Sequence, residues 1–266
     1  MDAPPSAAAA LPLFLTLGDG NEVLQVALRP GDAVFANERA FIYRGLGLQQ
    51  EVQPVGPLGR ALGWVGLKSD KVVKFTNEGT GPTYLGLASP LPGRVVPVSL
   101  EKSGTLLVKP SMFLCSLTSN DVSAARMKLN SEGPVPQQNI EVRKISGAGI
   151  CYIQGGGSAI QKSLGRGESM VVEFGCVAAV SSTCKVVVQD RTGLSGEPPY
   201  SQGFGVKITG PGSVFMQSTH TGRMARASRA ERANQGGSGG SDMMKAAVLT
   251  LILILVVFTI LDWEEI

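Results

Sequence analysis

The sequence has few of the residues from which catalytic and metal sites are usually built. His220 is the only histidine among 266 residues, so histidine pairs are excluded, and its place after the last strand-like run suggests a surface side chain. The four cysteines form no CxxC pair and lie in apolar stretches, which favours buried free thiols. Scattered carboxylates such as Glu168 and Glu173 are expected in turns or in solvent. We therefore expect no catalytic residue, cofactor, metal ligand or enzymatic reaction.

Aromatic and charged residues are also scarce, at 6% and 17% of the chain. With a net charge of only +3, they offer little for base stacking or phosphate contact, so nucleic acid is not an expected partner. Glycine and proline are abundant instead, with 34 and 16 residues. That composition is typical of many short strands joined by tight turns, and it predicts an all-β fold.

Strand-like runs recur along the chain between turn residues. Each is rich in β-branched residues or alternates between apolar and polar positions, as a strand requires. Ten such runs are predicted, at residues 23–28, 33–43, 71–75, 106–108, 112–116, 141–145, 150–154, 170–174, 185–189 and 214–217. The three glycines at 155–157 lie between two runs, which favours a hairpin turn over a phosphate-binding loop.

Two sets of similar segments alternate along the sequence. One set pairs a strand end with a Gly-x-Gly-type turn, at residues 75–87, 145–154 and 208–217; the other lies at residues 28–41, 106–116 and 164–179. The alternation predicts three pseudo-repeats of roughly 60 to 75 residues. Because the first and last segments lack a neighbour, we expect the two ends of the body to complete one unit together.

Several of these segments carry a family resemblance. EVLQVALRPGDAVFANERAFIY, the pair ISGAGICYIQ and SLGRGESMVVE, and KITGPGSVFMQS resemble the AIM24 family, and the resemblance spans about residues 20–220. It implies a fold similar to the tryptophan RNA-binding attenuation protein, with a short double-stranded β-helix repeated three times. It also implies a role in assembly without a reaction, as for the fungal member that supports cristae organisation and the contact-site complex of the mitochondrial inner membrane.

The last part of the sequence predicts a membrane anchor. The uncharged run AAVLTLILILVVFTIL at 246–261 follows the linker GGSGGS and is apolar on every face, which indicates a transmembrane helix over 243–262. Its length is near the lower limit for a bilayer of about 30 Å. Trp263 would anchor the far interface. Basic residues precede the run and acidic ones follow it, so the body is expected on the basic side, cytosolic or matrix-like.

The basic residues before the anchor have two interpretations. Arginines recur at every third position, so in a helix they would form a stripe that contacts anionic lipid headgroups or a partner. Alternatively, they belong to a solvated linker that obeys the positive-inside rule. The residues concerned are Arg223, Arg226, Arg229, Arg232 and Lys245.

The predicted domain order follows from these segments. It comprises a flexible N-terminus (1–20), a β body (21–221), a basic and Gly/Ser-rich linker (222–242), the transmembrane helix (243–262) and a short acidic tail (263–266). The N-terminus lacks the basic start of a secretory signal, so insertion as a tail-anchored protein is expected. The resemblance favours a mitochondrial membrane, with plastid or endoplasmic reticulum as alternatives.

The functional expectation is a membrane-anchored, non-enzymatic scaffold or assembly factor. Its expected partners are membrane lipids and the subunits of a membrane protein complex. A second copy of the chain, in a homo-oligomer, is a further candidate partner. The alternative is a β-repeat binding module for RNA, a lipid or a small ligand, which the likeness to the attenuation protein motivates.

Overall fold

The computed structural model describes residues 13–55, 71–131, 137–189 and 205–220, together with Gly222, Met224, Ala225 and Ser228. The chain divides into two compact units, Met1–His220 and Thr221–Ile266. In the second unit, the four described residues are helical. The described part of the first unit is built almost wholly of strands, so the predicted all-β class is confirmed.

Nineteen strands are described in the first unit. They are β1 (Leu13–Leu17), β2 (Val23–Leu28), β3 (Ala33–Asn37), β4 (Phe41–Arg44), β5 (Leu48–Pro54), β6 (Lys71–Asn77), β7 (Thr83–Ala88), β8 (Gly93–Ser99), β9 (Leu106–Val108), β10 (Phe113–Leu117), β11 (Asp121–Ser131), β12 (Gln138–Ser146), β13 (Ile150–Gly156), β14 (Ala159–Leu164), β15 (Ser169–Glu173), β16 (Val177–Ser181), β17 (Lys185–Gln189), β18 (Gly205–Thr209) and β19 (Gly212–Gln217). A four-residue helix, α1 (Leu100–Ser103), and two 3-10 turns, Pro110–Met112 and Phe174–Cys176, complete the described elements.

The strands form three sheets. Their orders are β1-β2-β7-β4, then β5-β6-β3-β10-β13-β8, and finally β14-β19-β16-β9-β12-β11-β17-β18-β15. The sequence of β2 shows why these segments are strands: in VLQVAL, Leu24, Val26 and Leu28 are fully buried while the intervening residues are half-buried. This period of two matches the alternation of side chains across a sheet.

The same pairing pattern recurs in three consecutive strand sets, β2–β7, β8–β13 and β14–β19. In each strand set the first strand pairs with the sixth, the second with the fifth, the third with the sixth and the fourth with the fifth. The pairing of the third with the sixth strand carries a bulge or register shift in all three. The three strand sets thus agree both in their pairings and in the place of this irregularity.

Neighbouring strand sets are joined by further pairings. The second strand of one set pairs with the third strand of the next, as β3 with β10 and β9 with β16. The first strand set is complete without the C-terminal end of the body, because β2 pairs with β7 and β1 adds to β2. This differs from the expectation that the two ends complete one unit together.

The core consists of three apolar clusters, which contain Phe75, Phe113 and Ile208 respectively. All four cysteines are free thiols, as predicted; Cys115, Cys151 and Cys184 are buried and Cys176 is half-buried. Burial raises the pKa of the Cys115 and Cys151 thiols well above the ordinary value, so both stay protonated.

Two sequence predictions differ from the structure, one for the N-terminus and one for the turn at residues 155–157. β1 pairs along its length with β2, although residues 13–17 fall in the segment predicted to be flexible. Gly157 adopts a φ of 65°, as a tight turn requires, but it connects β13 to a strand of another sheet instead of closing a hairpin.

The predicted membrane anchor is not tested by the described residues. Within the described residues, no helix combines the length and the apolar character needed to cross a bilayer. The predicted span, residues 243–262, is outside those residues.

Candidate functional site

One position at the end of the second strand has a different residue in each strand set. Asn37 ends β3, Lys109 follows β9 and Glu173 ends β15, and each immediately precedes the turn that leads to the third strand. The registers of β3, β9 and β15 against their neighbours place these three residues at corresponding positions. The same position thus carries an amide, an ammonium and a carboxyl group in the three strand sets.

In the first two strand sets this residue binds the turn of the next set. Asn37 Nδ2 donates to the carbonyl oxygens of Pro110 and Phe113, at 3.1 and 3.0 Å. Lys109 Nζ donates to the carbonyl oxygen of Phe174 and lies 3.9 Å from the centre of its ring. A hydrogen-bond donor at this position thus joins one strand set to the next.

Glu173 has no proton to donate when ionised, and it contacts side chains instead. Its Oε1 lies 2.9 Å from His220 Nε2, and its Oε2 accepts a hydrogen bond from Cys176 Sγ at 3.9 Å. Each of the three side chains has one atom capable of binding a metal ion, and these three atoms lie within 4.8 Å of one another. We call these residues the Glu-Cys-His cluster.

Local structure explains why the three side chains meet. Glu173 immediately precedes the 3-10 turn and Cys176 is its last residue. Side chains three residues apart in a 3-10 helix are eclipsed. His220 follows β19, whose Gln217 Nε2 donates to the carbonyl oxygen of Gly175 at 3.0 Å. In the second strand set, Gln154 makes the corresponding bond to Ser111, at 2.7 Å.

Gly175 provides the space that the histidine ring occupies. A Cβ atom at this position would lie only 2.3 Å from His220 Cε1. Any larger residue would therefore push the imidazole away from the turn. The side chains of His220 and Glu173 are only 12% and 18% exposed, so the prediction of a surface histidine is wrong.

Lys109 gives the cluster an unusual electrostatic setting. Its burial lowers the pKa of the ammonium group from 10.5 to about 8, although the charges of Cys176 and Glu173 favour the protonated form. A carboxylate, a thiol and an imidazole thus lie together beside a desolvated lysine. This combination of donors can take part in proton transfer or bind a metal ion.

Two cavities lie elsewhere in the body. One of about 90 Å³ is lined by residues of β13, β14 and β19 and by the buried side chain of Gln154, whose Oε1 has no hydrogen-bond partner among the described residues. A larger, open groove of about 640 Å³ runs along the start of β11 and the end of β5. Neither cavity includes a residue of the Glu-Cys-His cluster.

The residues predicted to contact the membrane or a partner do not belong to this site. All of them lie outside the described residues: Arg223, Arg226, Arg229, Arg232, Lys245 and the interface anchor Trp263. The cluster itself was missed because His220 is 47 residues from Glu173 in sequence. The spacing Glu-x-x-Cys before a turn, in a chain with one histidine, was the only available signal.

Comparisons with known proteins agree with this architecture. A crystal structure of a protein from Streptococcus pyogenes is similar to the chain with a TM-score of 0.64 and 19% sequence identity, over 83% of this chain and 99% of that one, which indicates a shared fold. The curated proteins provide no match. The sequence model of the family described as Mitochondrial biogenesis AIM24 matches residues 14–219. This match covers nearly the whole β body, and the chain therefore belongs to the AIM24 family.

Proposed function

We propose that the chain is a membrane-anchored, non-enzymatic scaffold or assembly factor that supports the organisation of a mitochondrial membrane or the stability of a membrane protein complex. The observation that carries this proposal is the family match over residues 14–219, because the family is described by mitochondrial biogenesis. A role in biogenesis requires contact with other components of the organelle more than it requires a reaction.

The repeated pairing pattern supports a platform built from three similar units. Under this proposal each strand set is one pseudo-repeat, similar to the short double-stranded β-helix of the attenuation protein. The pairings of β3 with β10 and of β9 with β16 join the three units into one body. Such a body can present several related surfaces to its partners.

The proposed attachment to the membrane rests on the sequence. The uncharged run at 246–261 is long enough to span a thin bilayer as a single helix. The basic residues that precede it would keep the β body on the cytosolic or matrix-like side. A tail anchor of this kind would hold the body beside its membrane partners.

An exposed apolar row on the first sheet supports a role in protein contact. Leu13, Leu15 and Leu17 are 71%, 50% and 38% exposed, and they alternate along β1, so they point to the same face. β1 is also an edge strand of its sheet. We call these three residues the leucine row, and we propose that it binds an apolar surface of a membrane-complex subunit.

The test is the recovery of partners from native membranes. A tagged full chain, solubilised in mild detergent, should bring down one defined group of membrane-embedded subunits at a fixed ratio. Replacing the three residues of the leucine row by serine should reduce that recovery at least about tenfold, because the apolar contact is lost.

The matched control is Val171→Ser, which changes an apolar side chain that is 51% exposed on β15. It should leave the recovery unchanged. A chain that elutes without any partner, or equal losses in the row variant and in the control, would contradict the proposal.

A further inference from the structure

We propose that Glu173, Cys176 and His220 form a binding site for a divalent zinc ion. The three side chains supply a carboxylate oxygen, a thiol sulfur and an imidazole nitrogen, which are the three kinds of ligand atom that zinc uses in proteins. The proposal concerns the β body alone and does not depend on the membrane anchor or on the scaffold function.

The distances between the ligand atoms are close to those of a zinc ligand shell. Zinc binds nitrogen and oxygen at about 2.0 Å and sulfur at about 2.3 Å with tetrahedral angles, so its ligand atoms lie roughly 3 to 4 Å apart. Glu173 Oε1 lies 2.9 Å from His220 Nε2, and the other carboxylate oxygen, Oε2, lies 3.9 Å from Cys176 Sγ. One ligand atom from each of the three side chains lies within 4.8 Å of the other two, so an ion would draw the side chains together.

The backbone already holds the three ligands in position. Glu173 and Cys176 lie at the two ends of one short turn, and β16 and β19, which are paired, bring His220 to the same place. The hydrogen bond from Gln217 to the turn fixes the end of β19. Preorganisation of this kind lowers the entropy lost when an ion binds.

The charges of the ligands also favour a cation. Zinc binding would release the proton of Cys176, and the resulting thiolate and the Glu173 carboxylate together balance the two charges of the ion. Both side chains of the Glu173–His220 pair are largely shielded from solvent, which strengthens this attraction. The three side chains supply three of the four ligands of a tetrahedral site.

Cobalt is a suitable probe because it replaces zinc and shows an absorption band when a thiolate binds it. The purified full chain, treated with a chelator and then titrated with Co²⁺, should bind one ion per chain and develop the cobalt–thiolate band in the near ultraviolet. Addition of Zn²⁺ should abolish the band by displacement. Absence of the band in the wild-type chain would overturn the proposal.

Variants locate the site. Cys176→Ser should abolish the thiolate band. Cys184→Ser should retain it, although it removes a buried thiol that donates a hydrogen bond to the Pro211 carbonyl oxygen. His220→Gln and Glu173→Gln should each weaken zinc binding at least about tenfold, a loss typical of changes around a metal. Binding as tight as in the wild type in all three ligand variants would overturn the proposal.

Gly175→Ala tests the position of His220 without changing any of the three ligand side chains. The added methyl group displaces the His220 ring while all three donor side chains remain, so zinc affinity should fall at least about tenfold. Far-ultraviolet circular dichroism should show that this variant keeps its β structure. A folded Gly175→Ala chain with wild-type zinc affinity would contradict the assigned role of His220.

Discussion

At the scale of single residues, one structural position has two different roles. Asn37 and Lys109 donate hydrogen bonds to the next turn, whereas Glu173 accepts them from its own neighbours. Among the described residues no strand set follows the third, so Glu173 has no turn of a next set to contact. The polar cluster of the third strand set is therefore a departure from the contact that joins the other two.

Lys109 should make the stability of the body depend on pH. Below a pH of about 8, both the folded and the unfolded state hold the lysine proton, and burial of the charge penalises the folded state. Between about 8 and 10.5 the folded state has released the proton while the unfolded state still holds it. Raising the pH across this interval should therefore stabilise the wild type relative to Lys109→Met.

Denaturant unfolding at several pH values measures this difference. The free energy of unfolding of the wild type minus that of Lys109→Met should rise across the interval. The matched control is Lys102→Met, which replaces an exposed lysine on α1 and should show no such rise. A constant difference between the wild type and Lys109→Met would show that the lysine is not desolvated.

At the scale of elements, the contacts between turns and strands connect one strand set to the next. The side chain of Asn37 is buried and satisfies two carbonyl oxygens of the second set, while its Oδ1 accepts a hydrogen bond from the Arg39 backbone. Backbone groups left unpaired in the interior are costly. This one residue thus stabilises two elements that are far apart in sequence.

Asn37→Ala should lower the free energy of unfolding by about 1–3 kcal/mol, because it leaves two carbonyl groups without their donor. Asn139→Ala is the control, since Asn139 is exposed on β12, and its effect should stay within about 0.5 kcal/mol. Thermal or denaturant unfolding provides the measurement. Equal effects of the two substitutions would show that the bonds from Asn37 contribute nothing to stability.

The sequence predicted strands well where apolar or β-branched residues recur and poorly where polar residues dominate. The run at 23–28 coincides with β2, and runs at 106–108 and 185–189 coincide with β9 and β17. β5 and β11 were missed because most of their side chains are polar or exposed, and they are held by ladders to β6 and β12. Hydrogen bonds between the backbones of paired strands do not require particular side chains, so they leave no pattern in a single sequence.

The candidate site was harder to predict than the fold. Glu173 and Cys176 are close in sequence, but His220 reaches them only because β19 pairs with β16. Sequence alone placed His220 on the surface, since nothing near it in the chain indicated a partner. Contacts that depend on long-range strand pairing require the fold to be known first.

At the scale of the whole molecule, three strand sets with one pairing pattern form the body of an AIM24 family member. The core of this body contains three apolar clusters. The pairings of β3 with β10 and of β9 with β16 join neighbouring strand sets. Under the proposed function, the exposed surfaces of these sheets would contact the partners. The proposed anchor would fix those surfaces near a membrane.

Membrane attachment is the claim on which the proposed function most depends, and alkaline carbonate extraction of isolated organelles tests it directly. The wild-type chain with a free C-terminus should stay in the membrane pellet. Leu253→Lys combined with Val257→Lys should release it, because each lysine at the centre of a span costs about 2.5–3.5 kcal/mol. Leu253→Ile combined with Val257→Leu should remain in the pellet. Release of the intact wild-type chain into the carbonate supernatant would contradict a membrane-anchored scaffold.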